Sequence, residues 1–152
     1  MKKEYLNPKA LSKPGAYTHV VSVAAPAKLV YVSGQVSFAA DGSVVGKGDM
    51  RSQSEQVFSN VTDALKAAGA AWSDVIKLNG YMVDMTAENV AAYREVRARF
   101  LKPEQLPAST LVGVTRLVQE ELLLEVEAIA ALGEAKPPRG AKPVKAKKKK
   151  RS

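Results

Sequence analysis

The chain has 152 residues, no cysteine and a formal net charge of +8. The length favours one domain, and the composition excludes disulfides and a thiolate nucleophile. No stretch has the apolar length of a signal peptide or a membrane span, so we expect a cytoplasmic protein with no membrane partner. Because His19 is the only histidine, the sequence offers no histidine cluster for a metal.

The net charge is concentrated at the end of the chain. Residues 133–152 hold nine Lys/Arg and one acid, and subtracting them from the totals of 23 and 15 leaves 14 of each sign. Prolines and like charges cannot support a packed core, so we predict a domain over 1–132 and a disordered basic tail over 133–152. Two interpretations of residues 136–151 stay open: non-specific nucleic-acid binding, or a solubilising extension without a partner.

The first predicted elements are two strands and a helix. Tyr17–Ala24 is rich in β-branched residues, and Lys28–Ser33 follows a turn and ends at Gly34. From Asp49 to Ala68 apolar residues recur at spacings of three and four, which predicts a helix, and Gly69 supplies the stop signal.

Strands and a helix also follow one another in the second half of the chain. Val75–Val83 has strand character, and a helix is predicted from the capping residue Thr86 to a point before Pro103. Its buried stripe is predicted to hold Val90, Tyr93, Val96 and Phe100. Ser109–Thr115 and Leu122–Leu132 are the last strands. The order β-β-α-β-α-β-β predicts an α+β domain with two helices on one face of a mixed sheet.

The last predicted strand carries apolar residues on both faces. One face holds Leu122, Leu124, Val126 and Ala128, and the other holds Leu123, Glu125, Glu127 and Ile129. Two helices are too few to cover both faces of a sheet, which indicates that oligomerisation covers the second face.

Several strings occur in a fixed order over most of residues 5–132. They are Pro14-Gly15-Ala16-Tyr17-Thr18-His19, Val30-Tyr31-Val32-Ser33-Gly34-Gln35, Asn60 with Leu65 and Ala68-Gly69, Tyr81-Met82-Val83-Asp84, Tyr93, Leu106-Pro107-Ala108-Ser109-Thr110, and Leu124-Glu125-Val126-Glu127-Ala128-Ile129-Ala130. No single string is specific. The ordered set resembles the RidA/YjgF family.

The resemblance implies a chorismate-mutase-like α+β subunit, assembled as a homotrimer with ligand clefts between neighbouring subunits. It also implies hydrolysis of reactive enamines and imines, such as 2-aminoacrylate and 2-iminobutanoate, to 2-keto acids and ammonia without a metal or organic cofactor. Glu125 matches the glutamate that positions or activates the attacking water. The substrate-binding positions carried over are Tyr17, Ser33, Gly34, Ser109 and Leu111.

One position departs from the family pattern. The arginine expected after Pro-Ala, which clamps the substrate carboxylate, is Ser109 here. Losing a charge-assisted pair costs ~1.5–3 kcal/mol or more of binding, which is roughly tenfold to several-hundredfold in affinity. Strand alternation points Arg116 to the opposite face, and the sequence does not place Arg97. We therefore predict a hydrolase of small imines or related C–N compounds whose substrate differs from typical imino acids.

Alternatives remain open at this point. The chain is also compatible with a non-catalytic small-molecule-binding trimer, or with nucleic-acid association through the tail. The alternative for Glu125 is a solvent-facing or ion-paired strand residue, over which the resemblance favours a role in the cleft. Tyr17 is equally compatible with packing at the sheet edge. His19 is expected to be structural. Ser109 is predicted to line the site rather than act as a nucleophile, because no general base is identifiable beside it.

Overall fold

A computed structural model describes residues 1–134. The strands are β1 (Lys2–Leu6), β2 (Val20–Ala24), β3 (Lys28–Gln35), β4 (Val75–Met82), β5 (Ala108–Gly113) and β6 (Leu124–Leu132), and the helices are α1 (Met50–Ala67) and α2 (Ala87–Ala98). Neither helix is long and apolar enough to cross a membrane. The predicted basic tail lies outside the described residues from position 135 onward.

Four of the strands form one mixed sheet in the order β3-β6-β4-β5. β4 and β5 run parallel, joined through α2, whereas β6 is antiparallel to both of its neighbours. The predicted α+β class, with two helices and a mixed sheet, is confirmed.

The prediction was wrong at the start of the chain. It contained no strand before Tyr17, but β1 pairs with β2 in a separate two-stranded antiparallel sheet. β1 has the sequence Lys-Lys-Glu-Tyr-Leu, and three charged residues in five hide the signal of a half-buried strand.

The helix ends follow their capping residues. Asp49 accepts hydrogen bonds from backbone N–H groups in the first turn of α1, and Gly69 follows the helix with φ +70°. Thr86 caps α2 by accepting from the N–H of Asn89, as predicted.

The core lies between the helices and one face of the four-stranded sheet. Its fully buried side chains include Val57, Phe58, Val61 and Leu65 of α1, Val96 of α2, and Leu78, Met82, Leu124, Val126 and Ala130 of the sheet. Within the predicted stripe of α2, Tyr93 and Val96 are buried, whereas Val90 and Phe100 are only half-buried. Arg97 is buried in the same stripe.

The other side of the sheet, here called the open face, has no helix packed on it within residues 1–134. Alternate residues of β6 confirm the two-faced pattern: Leu124 and Val126 are buried, whereas Glu125 and Glu127 are half-buried on the open face. Tyr31 is 72% exposed and Leu29 is 46% exposed. Exposed apolar side chains on a sheet face are typical of a surface that a partner covers.

Candidate functional site

Three of the predicted site residues, Tyr17, Ser109 and Leu111, line one cavity of about 440 Å³, here called the helix-side cavity. Its lining residues are Gly15, Ala16, Tyr17, Tyr93, Arg94, Arg97, Ser109 and Leu111. The cavity therefore lies between the loop before β2, helix α2 and strand β5.

The parallel pairing of β4 with β5 orients this part of the site. Ser109 lies beside Leu78 and Leu111 lies beside Gly80, so both side chains face the helices. A Cβ at Gly80 would lie 2.8 Å from Leu111 Cδ1 and 3.5 Å from the hydroxyl of Tyr93. Glycine at position 80 thus lets Leu111 and Tyr93 pack closely over β4.

Arg97 also lines this cavity, although the sequence did not predict its position. Its side chain is 4% exposed, and its Nη1 donates to the carbonyl of Ala16 at 2.6 Å. Nε and Nη2 have no hydrogen-bond partner in the described part of the chain, and neither has the buried hydroxyl of Tyr93. Burial lowers the pKa of the Arg97 guanidinium below its ordinary value. The spacing of four from Tyr93, which puts both residues on one helix face, was the available signal.

The remaining predicted residues, Ser33, Gly34 and Glu125, lie on the opposite side of the sheet. A Cβ at Gly34 would lie 1.7 Å from Glu125 Oε1, so the carboxylate sits directly over the backbone of this glycine. Among residues 1–134 no donor pairs with the Glu125 carboxylate within hydrogen-bond or ion-pair distance, and the side chain is half-buried. Glu125 is therefore a carboxylate without a partner among these residues, packed against the backbone of Gly34.

A second glutamate on the open face is hydrogen-bonded through one of its oxygens. Glu127 Oε1 accepts a hydrogen bond of 2.7 Å from Asn79 Nδ2 and one of 3.0 Å from the hydroxyl of Tyr81. The bond to Glu127 is the main cause of a raised pKa of Tyr81. Glu127 and Ser33 line a depression of about 270 Å³ that also includes Tyr31. The sequence placed Glu127 on this face but did not predict its partners, because they come from β4.

The six predicted residues thus form two groups on opposite faces of one sheet. A single chain does not bring Glu125 to Ser109. Among the described residues no three His, Cys, Asp or Glu side chains are grouped closely enough to hold a metal ion.

Other residues considered from the sequence lie away from both groups. Arg116 is exposed, with its Nη2 3.9 Å from Glu120, and does not line the helix-side cavity. His19 Nε2 is 2.8 Å from the carbonyl of Ser12, and its ring packs edge-on against Tyr17 at 5.2 Å.

This fold and these motifs match known proteins. The family model described as endoribonuclease L-PSP matches residues 8–132. A RutC family protein of Pyrococcus abyssi is 32% identical over 131 residues, covering 86% of this chain and 98% of the relative. The chain belongs to this family, the RidA/YjgF family that its motifs resemble.

Other similar proteins include one that is named for an activity and two with solved structures. A 2-iminobutanoate/2-iminopropanoate deaminase of Dermatophagoides farinae is 29% identical over 118 residues, covering 78% of this chain and 87% of the relative. Among solved structures, a Rid-family protein of unknown function from Yersinia pestis has a TM-score of 0.78 at 32% identity, covering 87% of this chain and all of that one. RidA from an Antarctic Psychrobacter has a TM-score of 0.62 at 30% identity, with 84% and 98% coverage.

Proposed function

We propose that two copies of this chain build one ligand cleft, in which small enamines or imines are hydrolysed to a carbonyl compound and ammonia. The observation that carries the proposal is the division of the predicted site residues. One copy supplies Tyr17, Ser109 and Leu111 from its helix-side cavity, and a neighbouring copy supplies Ser33, Gly34 and Glu125 from its open face.

The reaction needs an attacking water and a route for its proton. Water adds to the C=N carbon while Glu125 accepts the proton that water loses. Glu125 passes this proton to the nitrogen, which gives a carbinolamine. It then moves the hydroxyl proton of the carbinolamine to the same nitrogen, so the C–N bond breaks and ammonia leaves as the carbonyl forms. One carboxylate therefore serves as base and then as acid, and no redox partner is required.

Glu125 suits this role better than its neighbour on the same strand. Both lone-pair-bearing oxygens of Glu125 are free of partners within residues 1–134, whereas Glu127 is held by Asn79 and Tyr81. A general base must reach the proton that it abstracts by a hydrogen bond, directly or through one water. Glu127 is better suited to fixing the sheet surface beside the cleft.

The size of the cavity and the names of the relatives support a small metabolite, rather than RNA, as the substrate. A volume of about 440 Å³ is typical of small-molecule sites, and a relative is named for deamination of 2-iminobutanoate. The family description refers to an endoribonuclease, but the only histidine, His19, lies against a backbone carbonyl. Acid–base cleavage of RNA by a histidine pair is therefore not supported.

A homotrimer is the assembly that we propose, in line with the family resemblance. The open face exposes Tyr31 and Leu29, and burying them against a second copy would place Glu125 at a subunit boundary. A closed symmetric ring repeats the same contact at each boundary, so every cleft would be equivalent.

The test is release of 2-oxobutanoate from 2-iminobutanoate generated in situ by the full chain. Glu125→Gln keeps the shape but removes the base, so we expect a loss of at least about a hundredfold in rate. Glu120→Gln, at an exposed glutamate, is the control and should keep full activity. Ligand binding without turnover in the unmodified protein would favour a non-catalytic binding trimer. Undiminished turnover in Glu125→Gln would refute the role of this carboxylate.

A further inference from the structure

We propose that Arg97 binds the anionic group of the ligand in the helix-side cavity, through the guanidinium edge formed by Nε and Nη2. The inference deepens the proposed function, on whose cleft it rests, by naming the residue that would select a small carboxylate or comparable planar anion. It rests on the geometry of one buried side chain and on the charges around it.

The free edge of Arg97 has the geometry of a carboxylate fork. Nη1 is occupied by the carbonyl of Ala16, which fixes the plane of the guanidinium. The N–H of Nε and one N–H of Nη2 run parallel along the remaining edge, the arrangement that bonds both oxygens of a carboxylate. Both nitrogens are buried and have no partner among residues 1–134.

A buried polar group without a partner is costly, and a buried charge more so. In native proteins such groups are rare enough to require an explanation. The buried hydroxyl of Tyr93, one helical turn before Arg97, is a third polar group without a partner among the described residues, and both residues line the helix-side cavity. An anion bound in the cavity would satisfy all three donors at once.

The charges around the cavity favour the same ligand. Its lining includes two arginines, Arg94 and Arg97, and no carboxylate among the described residues. Ser109 adds a hydroxyl that can donate one hydrogen bond. A site with two positive charges, three or more free donors and no acid selects an anion over a neutral or cationic ligand.

This assignment changes the meaning of Ser109. From the sequence, serine at this position predicted a substrate that differs from typical imino acids, because the expected arginine was missing. In the structure Ser109 on β5 and Arg97 on α2 line one cavity. The arginine is supplied from the helix instead of the strand, and the anionic ligand is retained.

Binding of pyruvate and of its uncharged amide, pyruvamide, followed by NMR titration of the intact protein, tests the inference without turnover. We expect pyruvate to bind at least about tenfold more tightly than pyruvamide. Arg97→Met should weaken the binding of pyruvate by at least about tenfold and leave the binding of pyruvamide unchanged. Arg116→Met removes an exposed arginine and should change neither.

Two further variants guard against a folding defect. Arg97→Lys keeps the charge but not the fork, so pyruvate binding should fall between those of the unmodified protein and Arg97→Met. Adding Ser109→Arg to Arg97→Met should restore pyruvate binding, because it returns a guanidinium to the same cavity.

The outcomes separate the two proposals. Equal affinity for pyruvate and pyruvamide, no pyruvate binding, or full pyruvate binding by Arg97→Met or Arg97→Lys would overturn the role of Arg97. Selective pyruvate binding without imine hydrolysis would leave the anion site standing and refute the proposed hydrolase. Hydrolysis that is unchanged in Arg97→Met would leave the proposed hydrolase standing and refute the role of Arg97.

Discussion

The two faces of the four-stranded sheet carry opposite chemistry. The helix-side cavity holds Arg94 and Arg97 and no acid among its lining residues. The open face holds Glu125 and Glu127, with Lys77 tied to the hydroxyl of Thr110. The separation follows from strand geometry, since alternate residues point to opposite sides. Groups that are adjacent in sequence are therefore kept apart in one chain and can meet only between chains.

The two faces also have a feature in common, which is the presence of polar groups without hydrogen-bond partners in the described part of the chain. Each combines atoms held by hydrogen bonds with atoms that have no partner. On the open face these are Oε1 of Glu127 and the carboxylate of Glu125, and on the helix side they are Nη1 and the Nε and Nη2 atoms of Arg97. The fixed contacts are structural. The free groups are the ones available to a ligand, and the following predictions test whether each face works as this division requires.

Gly34→Ala has the largest expected effect, and it acts on the open face alone. The new methyl group would lie 1.7 Å from Glu125 Oε1, at the end of a flexible side chain. The carboxylate must therefore move, and we expect imine hydrolysis to fall about a hundredfold or more with little change in stability. Gly113→Ala meets only ordinary contacts, the nearest at 3.5 Å from Met85, and should be neutral. Full activity of Gly34→Ala would show that the position of Glu125 is not critical.

Gln53→Leu should affect both faces through the strand that they share. The buried Gln53 side chain donates to the carbonyl of Glu121 at 2.6 Å and accepts from the N–H of Leu123 at 2.8 Å. Leucine would remove both of these hydrogen bonds to the backbone just before β6. We expect a loss of about 2 kcal/mol or more in the free energy of unfolding, measured in urea.

The matched control is Gln119→Leu, at an exposed position in the preceding loop, and it should leave stability nearly unchanged. Equal midpoints and slopes for Gln53→Leu and the unmodified protein would show that the Gln53 contacts do not hold β6 in place.

Glu95→Gln has the smallest expected effect and lies outside both faces. Hydrogen bonds from Arg51 and Arg99 lower the pKa of Glu95 from 4.5 to about 2. A lowered carboxyl pKa stabilises the fold above the unfolded value and loses that contribution as pH falls. The stability difference between the unmodified protein and Glu95→Gln should thus shrink as pH drops from about 4.5 toward about 2, and high salt should reduce it. A difference independent of pH would contradict this assignment.

The sequence predicted the elements well where local chemistry determines them. The cap at Thr86, the stop at Gly69 and the alternation of β6 are all local signals, and the structure has each of them. β1 was missed because its five residues are mostly charged and their partner, β2, is distant in sequence.

The site was harder to predict because its arrangement depends on pairing between strands. Sequence resemblance placed Ser109 and Glu125 in one site, but only the registers of β5 and β6 against β4 show that they face opposite sides. Arg97 was one of three arginines between positions 94 and 99, and its side chain contacts the loop that carries Ala16. No local pattern encodes that contact.

The most direct test of the divided site is complementation between two inactive variants. Glu125→Gln damages only the open face, and Ser109→Trp fills only the helix-side cavity. When equal amounts are assembled into mixed oligomers, about a quarter of the clefts should combine two intact halves in a symmetric ring. Recovery of about a quarter of the hydrolytic activity is the predicted result. Verified mixed oligomers that stay inactive, from a protein active in its unmodified form, would show that the site is not shared between copies.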